Sequence, residues 1–183
     1  MRPGKPKVTA QAKAQLKPPS LSLLDKYRGP EIAPLYSTTV RVTGGEAGHA
    51  RASGIAVSDD GNLQVPLRLP VELGGQGGGT NPEQLFAAAY GACFHGAMSL
   101  LAAKARVDIA SATVDVRITF ARDPVDGLFL LTANVHVRLP GLAQASAEEL
   151  VRNTERLCPY AKLARDGMIN TTTVSVFTQE TPS

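Results

Sequence analysis

The sequence predicts an α+β fold in which two antiparallel sheets share one long helix. Three observations carry that expectation: β-branched runs of period two, a middle stretch that is apolar on nearly every side, and the element order β-β-β-α-β-β-α-α-β. At 183 residues, 43% hydrophobic and 19% charged, the composition suits one domain preceded by a tail.

The tail is residues 1–34, and the domain is residues 35–183. Pro3, Pro6, Pro18, Pro19 and Pro30 interrupt a stretch of little periodicity, so it reads as a flexible arm with some order near Leu21 to Tyr27. Arg2, Lys5, Lys7, Lys13, Lys17, Lys26 and Arg28 outnumber Asp25 and Glu31 there. The net charge of +3 and pI of 9.0 therefore belong to the tail, and the remaining body is slightly acidic. From charge alone the case for nucleic acid as a partner is weak, and none is expected. The tail lacks the continuous apolar core of a secretory signal, and the stretch Leu85 to Ala103 is broken by Gly91, His95 and Ser99. A cytoplasmic protein without membrane association is expected.

The body opens as a three-strand meander. Tyr36 to Thr43 is a β-branched run ending at Gly44-Gly45, His49 to Val57 is a second strand, and Asp59 to Asn62 is a turn. Leu63, Val65, Leu67 and Leu69 then alternate with polar positions, and Pro66 restricts that strand to an edge or a bulge. The loop Gly74 to Gly79 has no following GK[ST], so a connector is favoured over a phosphate cradle. Thr80 with Glu83 forms a capping box, Pro82 suits the first turn, and the helix runs to about Lys104. Ala87 to Met98 is apolar nearly all round and rich in small residues, which calls for burial on more than one side. Val114 to Phe120 and Leu131 to Leu139 make a hairpin with one dry face, turning at Pro124 to Gly127. Ser146 with Glu149 opens a helix from Ala147 to Leu157, Pro159 starts a short one ending near Gly167, and Thr171 to Thr178 is a last strand.

Two cysteines and three histidines limit the chemistry. A cytoplasmic disulfide would be transient, and two buried, inert thiols are an equal alternative on composition alone. Cys93 sits mid-helix, where the dipole offers little, so reactivity requires a nearby cation. His95, two residues on, points to another side of the helix; His49 and His136 stand alone in strands. No pair has the spacing of metal ligands, and no metal is expected.

The block Thr80-Asn81-Pro82-Glu83-Gln84-Leu85-Phe86-Ala87-Ala88 is followed by Ala92-Cys93-Phe94, preceded by Leu73-Gly74-Gly75 and answered by Cys158-Pro159-Tyr160. Residues 36–178 with these blocks resemble the organic hydroperoxide resistance (Ohr) branch of the OsmC/Ohr family. The resemblance implies two antiparallel sheets around long central helices in an intertwined homodimer. It implies a thiol peroxidase without bound cofactor, which reduces organic hydroperoxides and is regenerated by dihydrolipoyl groups of a lipoylated protein or another dithiol. Cys93 matches the peroxidatic cysteine, Cys158 the resolving cysteine and Glu83 the active-site glutamate. Leu85, Phe86, Phe94 and Met98 surround the helix carrying Cys93, and are the expected binding surface for an alkyl or fatty-acid chain.

One position departs from the pattern. The family places arginine directly after the Thr-Gly-Gly of the first strand, whereas Glu46 follows Thr43-Gly44-Gly45 here. A carboxylate there raises a thiol pKa. Arg51 is the expected substitute cation, with Lys26 and Arg28 of the tail behind it. Besides the hydroperoxide reductase, two alternatives stand: an OsmC-like peroxidase of different preference, and a redox-inactive small-molecule-binding dimer. Finally, ten helical residues separate Glu83 from Cys93 by about 15 Å, so a glutamate acting beside the thiol must come from a second chain or across a break in the helix.

Overall fold

The computed structural model describes residues 26–45, 53–167 and 172–173. It divides into two units, Met1–Pro34 and Leu35–Ser183. In the first, residues 26–34 form no helix or strand and are exposed. The expected last strand at Thr171 to Thr178 lies outside the described residues, apart from residues 172–173, which are not in a strand.

The second unit is α+β with two antiparallel sheets. Strands β1 (Val40–Thr43), β2 (Gly54–Ser58) and β3 (Gln64–Leu67) pair in sequence order, with Val42 opposite Ala56 and Ala56 opposite Val65. The meander is as expected, but β1 is shorter than the β-branched run. Asp59 explains the difference: its carboxylate accepts from the Thr38 hydroxyl at 3.0 Å and the Thr39 amide at 3.3 Å, holding that segment to the turn by a side chain. Pro66 stands on the edge strand, where its missing N–H costs nothing, and its carbonyl accepts from the Thr80 amide at 3.0 Å. The alternation in β3 carries through to burial, Leu67 and Leu69 being buried while Gln64, Pro66 and Arg68 are exposed.

Helix α1 (Pro82–Ala105) begins one residue later than the capping box implied. Asn81, not Thr80, is the N-cap: its side chain accepts from the Gln84 amide at 2.9 Å, a strong cap acceptor one step before Pro82. The Thr80 hydroxyl instead donates to Gln84 Oε1 at 2.9 Å. By length and composition α1 would be able to cross a membrane, yet it packs as the central helix of this unit against β4 (Thr113–Arg122), α2 (Gln144–Leu157) and α3 (Pro159–Asp166). Its buried residues, Tyr90, Phe94, Met98 and Ala102, recur every four positions and so form one stripe. Only 22% of its most apolar 18-residue window is buried, so the expected burial on several sides does not occur within one chain.

β4 pairs with β5 (Phe129–Arg138) over ten residues, Val116 facing Val135 and Phe120 facing Leu131. The dry face is packed at only one end, where Val114, Val116, Val135 and Val137 cover the core cluster of Tyr90, Phe94, Cys158 and Ala161. At the other end Leu131 is 52% and Phe129 54% exposed. Helix α2 starts at Gln144, three residues before the expected Ala147, with Ala143 rather than Ser146 at its N-cap and no side-chain cap bond. α3 follows the expectation, with Pro159 in its first turn and Gly167 after its last residue.

Candidate active site

The site is built around one local break in the chain. A residue before proline is driven out of the helical region, and Cys158 accordingly has φ −70° and ψ 119°. Its N–H still closes α2 on the Thr154 carbonyl at 2.8 Å, while its carbonyl accepts the Lys162 N–H at 3.1 Å and opens α3. Cys158 is thus the C-cap of one helix and the N-cap of the next. Its side chain is fully buried against α1, and its thiol donates to Cys93 Sγ at 3.5 Å.

Both cysteines are free, and Cys93 is the more accessible. Residues 65 apart in sequence are therefore in sulphur contact, at the junction of three helices. Tyr90 shares the core cluster with Cys158, and Tyr160 and Cys93 pack against it; Tyr90 lies 6.1 Å from Tyr160 in a stacked arrangement, and Phe86 lies 6.3 Å from Tyr90 and 6.1 Å from Tyr160 between ring centres. Burial, and after it the adjacent Cys158 thiol, push the Cys93 thiol up to about 11, opposed by the backbone N–H of Tyr160. Burial is also the main cause raising the Tyr90 hydroxyl above its ordinary value. In one chain the described surroundings thus favour the protonated thiol of Cys93.

The remaining expected residues are placed as follows. Glu83 lies in the first turn of α1, half-buried, and α1 runs unbroken from Pro82 to Ala105, so the glutamate stands about 15 Å along the axis from Cys93 of its own chain. Arg51, Glu46 and His49 lie outside the described residues. Lys26 and Arg28 are exposed on the N-terminal unit. Leu85 and Phe86 are half-buried, with Phe86 against the rings of Tyr90 and Tyr160, whereas Phe94 and Met98 are 1% and 0% exposed and present no surface to a ligand in this chain. His95 on α1 and His136 on β5 are exposed, and among the described residues no group of three potential metal ligands comes together. The sequence reading overlooked Tyr90 and Tyr160. Tyr90 precedes Cys93 by three residues, hence lies on a neighbouring face of the helix, and Tyr160 is the second residue of the helix that Pro159 begins.

Residues 75–173, more than half of the chain, match the family model described as OsmC-like protein. The chain belongs to the OsmC-like family. The organic hydroperoxide resistance protein-like 2 of Staphylococcus epidermidis is 39% identical over 132 residues, covering 72% of this chain and 89% of that relative. The organic hydroperoxide resistance protein of Xanthomonas axonopodis pv. citri is 37% identical over 143 residues, covering 77% and 95%. Among solved structures, the organic hydroperoxide resistance protein OsmC of Legionella pneumophila superimposes with a TM-score of 0.65 at 36% identity, covering 74% of this chain and 93% of that one. The matched span includes the Gly-rich loop, α1 with Cys93, the hairpin, and the two helices joined at Cys158.

Proposed function

We propose that this chain is a thiol-dependent peroxidase that reduces organic hydroperoxides to alcohols. The observation carrying this reading is the 3.5 Å contact between Cys93 Sγ and the buried Cys158 Sγ within an OsmC-like fold. The more accessible Cys93, as thiolate, attacks the outer peroxide oxygen and breaks the O–O bond. It becomes a sulfenic acid, and the alkoxide leaves with a proton as the alcohol. Cys158 then attacks the Cys93 sulphur, water leaves, and a disulfide forms. A dithiol, in our reading the dihydrolipoyl group of a lipoylated protein, returns both cysteines to thiols, and no bound cofactor or metal takes part. The alkyl chain of the peroxide lies against Leu85 and Phe86, with Phe94 and Met98 shaping the wall from behind.

The working unit in this reading is a homodimer. Support comes from α1, apolar yet covered along one stripe only, and from the distance of Glu83 to the thiol of its own chain. Glu83 then acts at the partner's thiol. Arg51 supplies the cation, with Lys26 or Arg28 as the reserve. We place this activity in the cytoplasm.

A redox-inactive binding dimer is the second reading, and one observation favours it: a thiol pushed up to about 11 is ionised only to about one part in 10⁴ at pH 7. Stopped-flow oxidation of Cys93 separates the readings. Rapid reaction with cumene hydroperoxide and slow reaction with hydrogen peroxide is expected; equal rates indicate an OsmC-like peroxidase of other preference, and no reaction with either indicates the binder.

A further inference from the structure

The first donors of α3 are unusually arranged. Cys158 at the N-cap bonds its own N–H back to Thr154, Pro159 has none, and the first N–H inside the helical ladder is that of Lys162. Tyr160 and Ala161 are left as the orphan donors of this helix, and the Cys158 side chain makes no cap bond to them. The sulphur that meets this end of α3 belongs to another helix: Cys93 of α1 touches the N-cap sulphur at 3.5 Å. It packs on the cluster holding Cys158 and Ala161, as Tyr160 does.

Resting on the reading of Cys93 as the reacting thiol, we propose that the N-terminus of α3 activates it, the Tyr160 backbone N–H donating to the Cys93 thiolate in place of a side-chain cap. An anion at a helix N-terminus meets both an unpaired N–H and the positive end of the macrodipole. Cys93 obtains nothing comparable from its own helix, because it lies eleven residues beyond Pro82, where α1 begins. Pro159 matters because it fixes the helical turn while removing the N–H that would otherwise come first. The direction of the Tyr160 contribution agrees, since it lowers the thiol's pKa against burial and the Cys158 thiol. Other groups around the cluster do not substitute for it. The hairpin presents the uncharged Val114, Val116, Val135 and Val137, while Glu155 of α2 and Arg165 of α3 act on Tyr90 with opposite signs.

The test compares Tyr160→Pro, which removes the N–H within the first turn of α3, with Tyr160→Ala, which removes the ring and keeps the N–H. The readout is iodoacetamide alkylation of Cys93 at pH 8 in the full-length protein, followed on the Cys93 peptide by mass spectrometry. Loss of a partly buried helix-terminus contact shifts a pKa by about one unit, so the proline variant should alkylate about tenfold more slowly than the alanine variant. Rates equal within a factor of two overturn the proposal. Amide exchange provides an arm that needs neither variant to fold. Cys93→Ala should make the Tyr160 amide exchange about tenfold faster while leaving Leu163 unchanged; an unaltered Tyr160 amide overturns the proposal as well. Neither readout uses a peroxide, so a chain that proves redox-inactive leaves both interpretable.

Discussion

The two ends of the β4–β5 hairpin have the same alternating sequence but differ in their surroundings. At one end Val114, Val116, Val135 and Val137 close over Tyr90, Phe94 and Cys158; at the other, Phe120 stacks on Phe129 at 4.8 Å, Arg122 lies 4.0 Å over that ring, and Leu131 remains half in solvent. The same contrast runs along α1, where one stripe is sealed and the rest is not. The sealed end contains the two sulphurs. The open end and the open helix faces have the apolar character of an interface, and in the proposed reading the cation and the carboxylate come from outside the sealed corner. The thiol pair is built within one chain, and the proposed dimer would complete its surroundings.

The largest expected effects break the sealed corner. Cys93→Ser should abolish hydroperoxide turnover, a loss of at least about three orders of magnitude for removal of a nucleophile. Cys158→Ser should permit one oxidation, after which the sulfenate proceeds to the sulfinate, visible as a mass increase of two oxygens. Equal residual turnover in the two variants would sink the division of roles. Next in size is a break of the open end. Leu131→Asp places a charge on the exposed half of the dry face, and should turn a dimer into a monomer by sedimentation with activity falling at least tenfold. A fully active monomer would refute the shared site. Co-expression of Cys93→Ser with Glu83→Ala sharpens the same point, since heterodimers should recover one intact site each, and activity no greater than the sum of the parents would show that the glutamate and thiol do not meet across chains.

What could be read from the residues follows this division. Pro159 and Gly167 bracket α3 as expected, because proline's fixed φ and glycine's freedom at a helix end are local effects. The edge position of β3 is one of the two that Pro66 allowed, the other being a bulge. The N-caps of α1 and α2 were misassigned by one and three residues, since Asn81 competes with Thr80 for the same role and Ala143 caps with no side-chain bond at all. Local chemistry was ambiguous at both. The placing of Phe94 and Met98 was a tertiary matter: their spacing of four puts them on one face of α1, but only the packing of α2, α3 and the hairpin shows that this face is the core. The contact of Cys93 with Cys158 came through the family resemblance. Nothing in their separation of 65 residues would have supplied it.

A smaller effect concerns substrate choice. Phe86→Ala removes the ring that packs on Tyr90 and Tyr160 and that we propose receives the alkyl chain, and its apolar area at about 25 cal/mol per Å² should lower kcat/KM for cumene hydroperoxide by roughly one to two orders of magnitude, with little change for hydrogen peroxide. Parallel losses for both peroxides would mean that the ring positions the thiols and does not receive the alkyl group.

The smallest expected effect reads the activation directly. The surroundings in one chain raise the Cys93 thiol from its ordinary 9.0 to about 11, so the protonated form favours the folded state. That contribution is complete below pH 9 and disappears as pH rises through about 11. Melting temperatures of wild type and Cys93→Ala across pH 7 to 11 isolate it, because every other titrating group is shared. If the sealed corner acts alone, the wild-type advantage should be flat to pH 9 and then shrink by a few degrees. If a cation from a second chain or from the region around Arg51 completes the site, the folded pKa falls below 9 and the sign reverses. The wild-type advantage then grows as pH climbs from 7 toward 9 and is retained above it. A difference that ignores pH over the whole range would mean that Cys93 has an ordinary thiol, which contradicts both the burial of this corner and the need for anything to complete it.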